Sequence, residues 1–363
     1  MNTSRIGMSV RYMYRRIGQA LLLSSALAGC GTTFRINQAN WGPRIDSVGT
    51  EESILSSISR NWHEYERLDE QQKTDHEIAL AAISQNREAF HLFPNKLKSD
   101  KNFLCACFEA NPSVYPMIPS PPTEMTDKYN KLASDLGQLG IIHGERFINL
   151  SIKEIQEIIN NRTDLTPDGR RLAVIVFPDK DGNGAFKKPP IAELMERGYR
   201  VVYYEIKQDN ELIQAVTENG QRQKIDLLFI GGHGDRTHVA FGGADPAKGL
   251  KSYDESLYLD LSDLAKLRPL TGYLKDKESV IILYSCSTGE GMDKETNIAN
   301  MLKIIFSKSY IYSPTISVEL DSLFFDENNR VDGALWKAPS SEYPKAINVW
   351  GVGIIKTYMI SPH

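Results

Sequence analysis

Cysteine is scarce in this chain. Four among 363 residues make no disulfide framework. The nearest pair, Cys105 and Cys107, has no second cysteine or histidine pair at zinc spacing, and no metal is expected in the chemistry. Basic charge is short as well: 42 Lys and Arg against 46 Asp and Glu give a formal charge of −4 without a basic stripe, which argues against a nucleic-acid partner held through its phosphates. Nor does any segment approach the ~18 uninterrupted apolar residues of a transmembrane helix. What is present, 41% apolar and 24% charged residues, is the composition of an ordinary globular protein, long enough for two or three domains of about 100–200 residues.

The first thirty residues are read apart from the fold. Arg5, Arg11, Arg15 and Arg16 precede the apolar run Ala20-Leu-Leu-Leu-Ser-Ser-Ala-Leu27, which ends in Leu27-Ala28-Gly29-Cys30. Basic region, apolar region and small residues in that order are a secretory signal. The last four residues resemble the lipobox of bacterial lipoproteins, which implies cleavage after residue 29 and lipidation of Cys30. An acyl anchor holds a protein at a membrane surface without spanning it. The expectation is a bacterial envelope protein, anchored outside the cytoplasm, with residues 30–60 as a polar tether.

Residues 61–122 contain an internal repeat. Asp75-His-Glu-Ile-Ala-Leu-Ala-Ala-Ile-Ser-Gln-Asn86 aligns, twenty-five residues on, with Asp100-Lys-Asn-Phe-Leu-Cys-Ala-Cys-Phe-Glu-Ala-Asn111. Each unit reads as an Asp N-cap, a short helix with apolar residues at three- and four-residue spacing, and an Asn at the end. Such units bury their faces by stacking on neighbours, and Cys105 and Cys107 fall on apolar positions, as core thiols. The repeat resembles tandem helical units of unknown function in some bacterial proteins. A helical packing domain is the plainer expectation, a protein-docking module the other. Pro116-Met-Ile-Pro-Ser-Pro-Pro122 closes the region, and a helical connector follows over 123–169, its second helix opened by the capping box Ser151-Ile-Lys-Glu154.

From residue 170 the pattern alternates. Strands are expected at 171–177, 199–206, 225–230 and 279–284, with a fifth over 310–318. Helices are expected at 191–197, 211–218 and 297–307. The order βαβαβ then βαβ predicts an α/β fold, a doubly wound and mostly parallel sheet, over 170–363. Residues 235–278 are an insertion, partly helical at 261–267, and a hairpin is expected after 320.

Two strands end in chemistry-bearing residues. Ile225-Asp-Leu-Leu-Phe-Ile-Gly-Gly232 leads into His233-Gly234, and Ser279-Val-Ile-Ile-Leu-Tyr284 leads into Ser285-Cys286-Ser-Thr-Gly289. Open α/β sheets bind ligands beyond the carboxyl ends of their strands. A thiol attacks a carbonyl as thiolate, and a nearby imidazole can take the proton. Backbone N–H groups of Gly234 and Cys286 could meet on a developing oxyanion. Taken singly, Cys286 would be a small buried hydrophobe and His233 a loop residue; together they point to a catalytic pair.

The pattern, an apolar strand ending in His-Gly and a later one ending in Cys, resembles the caspase-like cysteine peptidases, which include caspases, gingipains, clostripain, metacaspases and CHAT domains. The separation of 53 residues is near the ~50 of caspases. The resemblance implies a caspase-like topology, Cys286 as nucleophile, His233 as general base, and a peptide or protein substrate. Tyr284-Ser-Cys-Ser-Thr-Gly289 departs from the caspase Gln-Ala-Cys-x-Gly, so caspase specificity is not carried over. The loop after the first strand, Asp179-Lys-Asp-Gly-Asn-Gly184, falls where the family lines its primary specificity pocket, so Asp179 or Asp181 would favour a Lys or Arg substrate residue. Pro190 occupies the twelfth position, where an EF-hand needs Glu; the loop oxygens leave a different calcium site open, and no other cofactor is expected. Two readings follow: a lipid-anchored cysteine endopeptidase, or an inactive caspase-like lipoprotein that acts as a partner-binding scaffold. His238 is read as an insertion-loop residue.

Overall fold

The computed structural model describes residues 51–58, 61–142, 147, 150–179, 189–241, 257–290, 296–314, 319–337 and 357–360. The segment expected to be a secretory signal, Cys30, Asp181 and the 315–318 half of the expected fifth strand lie outside them. Residues Gly49–His363 make one compact unit.

The helical region begins with α1 (Glu51–Ile58) and continues through the two repeat helices, α2 (His76–Gln85) and α3 (Lys101–Ala110). Their caps match atom for atom. Asp75 accepts from the N–H groups of Glu77 and Ile78, and Asp100 from those of Asn102 and Phe103. At the far ends, the Asn86 side chain accepts from Glu88 N–H at 3.0 Å and Asn111 from Ser113 N–H at 3.3 Å. Each Asx turn starts the next helical turn. Asn111 also donates to the Ile83 carbonyl at 2.8 Å, tying one unit to the other. Ile78, Ile83, Phe90, Phe93, Phe103 and Phe108 fill the shared core. Cys107 is buried in it, and burial pushes its thiol up to about 12. Replacing Asp100 with Ala should cost about 1 kcal/mol in a urea melt, whereas Lys101→Ala next to it should stay within about 0.5 kcal/mol.

Helices α4 (Thr123–Gln138) and α5 (Ile152–Thr163) follow, the latter opened by the Ser151–Glu154 capping box. Their apolar faces, including Leu132, Leu136, Ile155 and Ile158, join one face of the sheet. The chain then runs β1 (Arg171–Pro178), α6 (Ile191–Glu196), β2 (Tyr199–Ile206), α7 (Asp209–Gly220) and β3 (Ile225–Gly231). β4 (His233–Gly234) follows, and the insertion supplies β5 (His238–Ala240), β6 (Tyr258–Asp260) and α8 (Leu264–Leu267). After it come β7 (Val280–Tyr284), α9 (Ile298–Ile305), β8 (Tyr310–Pro314), the hairpin β9 (Glu319–Phe325) and β10 (Val331–Lys337), and β11 (Thr357–Ile360).

The main sheet has the order β11-β8-β7-β3-β1-β2, five parallel strands with β11 antiparallel at one edge. It is a doubly wound α/β sheet preceded by an all-α region. Strand residues alternate between two cores: Ile175, Phe177, Phe229 and Tyr284 face α4, α5, α6 and the β9–β10 hairpin, while Val176, Ile230, Ile281 and Leu283 face α7, α9 and the insertion. Burial on both faces explains why these strands read as unbroken apolar runs. At the β2 edge, Asn161 donates to the Val201 carbonyl at 2.9 Å and buried Arg200 to the Thr166 carbonyl at 2.8 Å, so α5 and the segment after it cover strand edge that would otherwise invite pairing.

Candidate active site

Register decides what the strand ends bring together. β3 and β7 are adjacent and parallel, with Ile230 opposite Leu283 and Gly231 opposite Tyr284. His233 and Cys286 each follow that last pair by two residues. Gly232 N–H still donates to the Tyr284 carbonyl at 3.1 Å, so the strands remain in contact up to the residue before the histidine. Neighbouring strands run about 4.8 Å apart. Beneath the ends, Phe177 and Phe229 stack with centroids 5.9 Å apart, and Tyr284 meets both edge-on at 6.0 Å. That aromatic floor fixes the spacing of three strand termini.

His233, expected at the end of the third strand, opens a short strand of its own. β4 pairs with β5, His233 opposite Ala240 and Gly234 opposite Val239, and β5 pairs with β6. The turn Asp235-Arg-Thr-His238 is an unnoticed hairpin signal: the Asp235 carboxylate accepts from Thr237 N–H at 2.6 Å and His238 N–H at 3.2 Å. Although partial burial works the other way, those bonds and His238 hold that carboxyl below its usual range. The glycines flanking His233 are required by close approach. A Cβ on Gly232 would lie 2.7 Å from the Ala240 carbonyl oxygen, and one on Gly234 would overlap Ser285 Oγ. Asp235 N–H donates to the His238 carbonyl at 3.1 Å, which closes the hairpin on a hydrogen-bonded pair. Antiparallel alternation makes His233 and Ala240 the next such pair and takes the Gly234 N–H off that ladder.

The Cys286 loop is pinned from several sides. Thr288, fully buried, donates to the Ser285 carbonyl at 3.1 Å and lies 3.2 Å from Ser313 Oγ. Gly289 N–H donates to the Pro314 carbonyl at 2.9 Å, and Ala299 N–H of α9 to the Thr288 carbonyl at 3.2 Å. Ser287 is held at φ 55°, a left-handed conformation that a serine adopts only when its surroundings impose it. Cys286 itself is half-buried and has a free thiol. Ile298 N–H donates to the Arg236 carbonyl at 3.0 Å, joining the start of α9 to the turn that follows the histidine.

Asp179 follows β1, the strand beyond β3. It is 3% exposed, 3.8 Å from Lys207 Nζ, and borders a cavity of about 320 Å³ at the β2 edge, with Arg162, Tyr204, Lys207 and Glu218 on its wall. The structure thus places Asp179 two strands from Cys286. His238 lies on β5, its Nδ1 3.1 Å from Asp235 Oδ1 and its ring edge-on to Tyr258. Among the described residues no group of three or more His, Cys, Asp or Glu is placed to hold a metal ion, and no helix is long and apolar enough to cross a membrane.

Residues 75–121 match a family model described as a domain of unknown function, DUF4116. No curated protein matches the chain. Among solved structures, the Arg-specific cysteine proteinase gingipain R is 15% identical, with a TM-score of 0.24, over 45% of this chain and 37% of its own. This chain therefore spans little more than a third of that neighbour, and a likeness of that size carries no argument about fold or chemistry.

Proposed function

We propose that this chain is a caspase-like cysteine endopeptidase, anchored through lipidated Cys30 at a bacterial membrane outside the cytoplasm. The observation that carries the reading is that His233 and Cys286 each lie two residues past the last paired rung of adjacent parallel strands, both on backbone held by surrounding hydrogen bonds. In this reading His233 takes the Cys286 proton and the thiolate attacks the scissile carbonyl. The Gly234 and Cys286 N–H groups take up the oxyanion. His233 then protonates the departing amine, and water, activated by the same imidazole, frees the acyl-enzyme. Asp179 and Asp181 favour a Lys or Arg residue before the cut, and the helical repeats serve as packing or as a docking module.

The test uses protein carrying Cys30→Ser, beside the same protein with Cys286→Ala. Each is incubated with a diverse peptide library, with and without calcium, and products are read by mass spectrometry. Cleavage by the first alone is expected. Silence from both, with Cys286 alkylating no faster than an ordinary thiol, overturns the peptidase and leaves the partner-binding scaffold.

A further inference from the structure

Ser285 lies between the two strands that carry the dyad, and the steps above make no use of it. It is 1% exposed, and among the described residues its Oγ has no hydrogen-bond partner. It follows β7 directly, between the strand end at Tyr284 and the turn that holds Cys286. Its hydroxyl lies against Gly234, where any Cβ would overlap it. The same Cβ would sit 2.6 Å from the His238 carbonyl oxygen. Hydroxyl and carbonyl therefore border one gap, kept open by the absent side chain of Gly234. The wall of that gap is the β4–β5 hairpin, which also carries His233.

A buried hydroxyl without a partner is unfavourable, and a small movement of the hairpin would supply one. The His238 carbonyl already accepts from Asp235 N–H, and a carbonyl oxygen has a second lone pair for another donor. The structure assigns Ser285 as a positioning residue of the Cys286–His233 site. As the thiolate attacks a bound peptide, the hairpin shifts, and Ser285 Oγ–H donates to the His238 carbonyl oxygen and fixes His233 and Gly234 against Cys286. The assignment rests on the peptidase reading. Because the bond is made only during the attack, and neither in the resting site nor in the bound ground state, its contribution falls on the chemical step and not on binding.

The experiment is Ser285→Ala, assayed with the best peptide found in the library. We expect kcat to fall about tenfold, the effect of one lost hydrogen bond, with KM within about twofold. The resting rate of Cys286 alkylation by iodoacetamide should not change. The melting temperature should hold or rise, because the variant removes an unsatisfied hydroxyl. An unchanged kcat overturns the assignment and leaves the peptidase standing. A parallel fall in kcat and alkylation rate also overturns it, because Ser285 would then shape the resting site. Wild-type protein that cleaves nothing removes the peptidase reading, and this assignment with it.

Discussion

Replacing His233 with Ala is expected to slow peptide cleavage by about 10²–10⁴-fold, the usual contribution of a general base, while the protein remains folded. His233 is only half-buried and opens a two-residue strand whose pairing uses backbone atoms, so the substitution removes chemistry and little packing. Without the imidazole, solvent base must take the Cys286 proton, so the residual rate should climb between about pH 7 and 9. Wild type should be flatter over that range. His238→Ala is the control, since this second histidine is held by Asp235 through Nδ1 in the way a base is held by an orienting carboxylate. Loss of activity in His238→Ala together with a normal rate in His233→Ala would reassign the base. Measuring kcat/KM against pH for the three proteins decides it.

The strands were readable because they are buried on both faces. Arg171–Pro178 and Tyr199–Ile206 present apolar runs that no half-exposed strand would carry, and glycine stops mark where they end. The repeat was readable for a different reason: an Asp cap and an Asn stop at a constant offset specify the same hydrogen bonds twice. The insertion was legible only in part. Its helical turn near 261–267 was expected, but β5 and β6 are three residues each, too short to show alternation, and their pairing depends on residues about twenty positions apart. At the site, the order and spacing of His233 and Cys286 were visible. The reason for Gly234 was not, because it lies in contact with Ser285, fifty-one positions further on, and non-local approach leaves no local pattern. Asp179 was legible as the residue after the first strand, but its approach to Lys207, twenty-eight positions further on, was not.

The largest loss of stability is expected in the insertion. Lys266 of α8 binds Asp209 and Asp263, each at 2.8 Å. Both carboxylates are almost wholly buried, whereas the ammonium is half exposed. Asp209 opens α7 on the sheet face and Asp263 lies in the insertion, so one lysine clips the insertion to the sheet. Burial, and then the neighbouring Asp209, hold the Asp263 carboxyl above its usual range, against the pull of Lys266. Replacing Lys266 with Met leaves two buried carboxylates facing one another. Removing one partner of a fully buried pair costs ~3–5 kcal/mol; exposure of the ammonium reduces this to about 2 kcal/mol at pH 7.5. Protonation relieves the repulsion. A carboxyl raised in the folded state binds protons more tightly there than in the unfolded chain, so stability falls as pH rises through its folded pKa. The deficit of Lys266→Met should therefore shrink as pH drops from 7.5 toward the ordinary carboxylate range. Urea melts at pH 7.5 and 5.5 measure this, and a variant within about 0.5 kcal/mol of wild type at both would show that the clip bears no load. The same variant links stability to the site. β6 pairs with β5, and β5 lies on Gly232 and beside His233, so loosening the clip should raise amide exchange across residues 233–240 before the sheet itself opens.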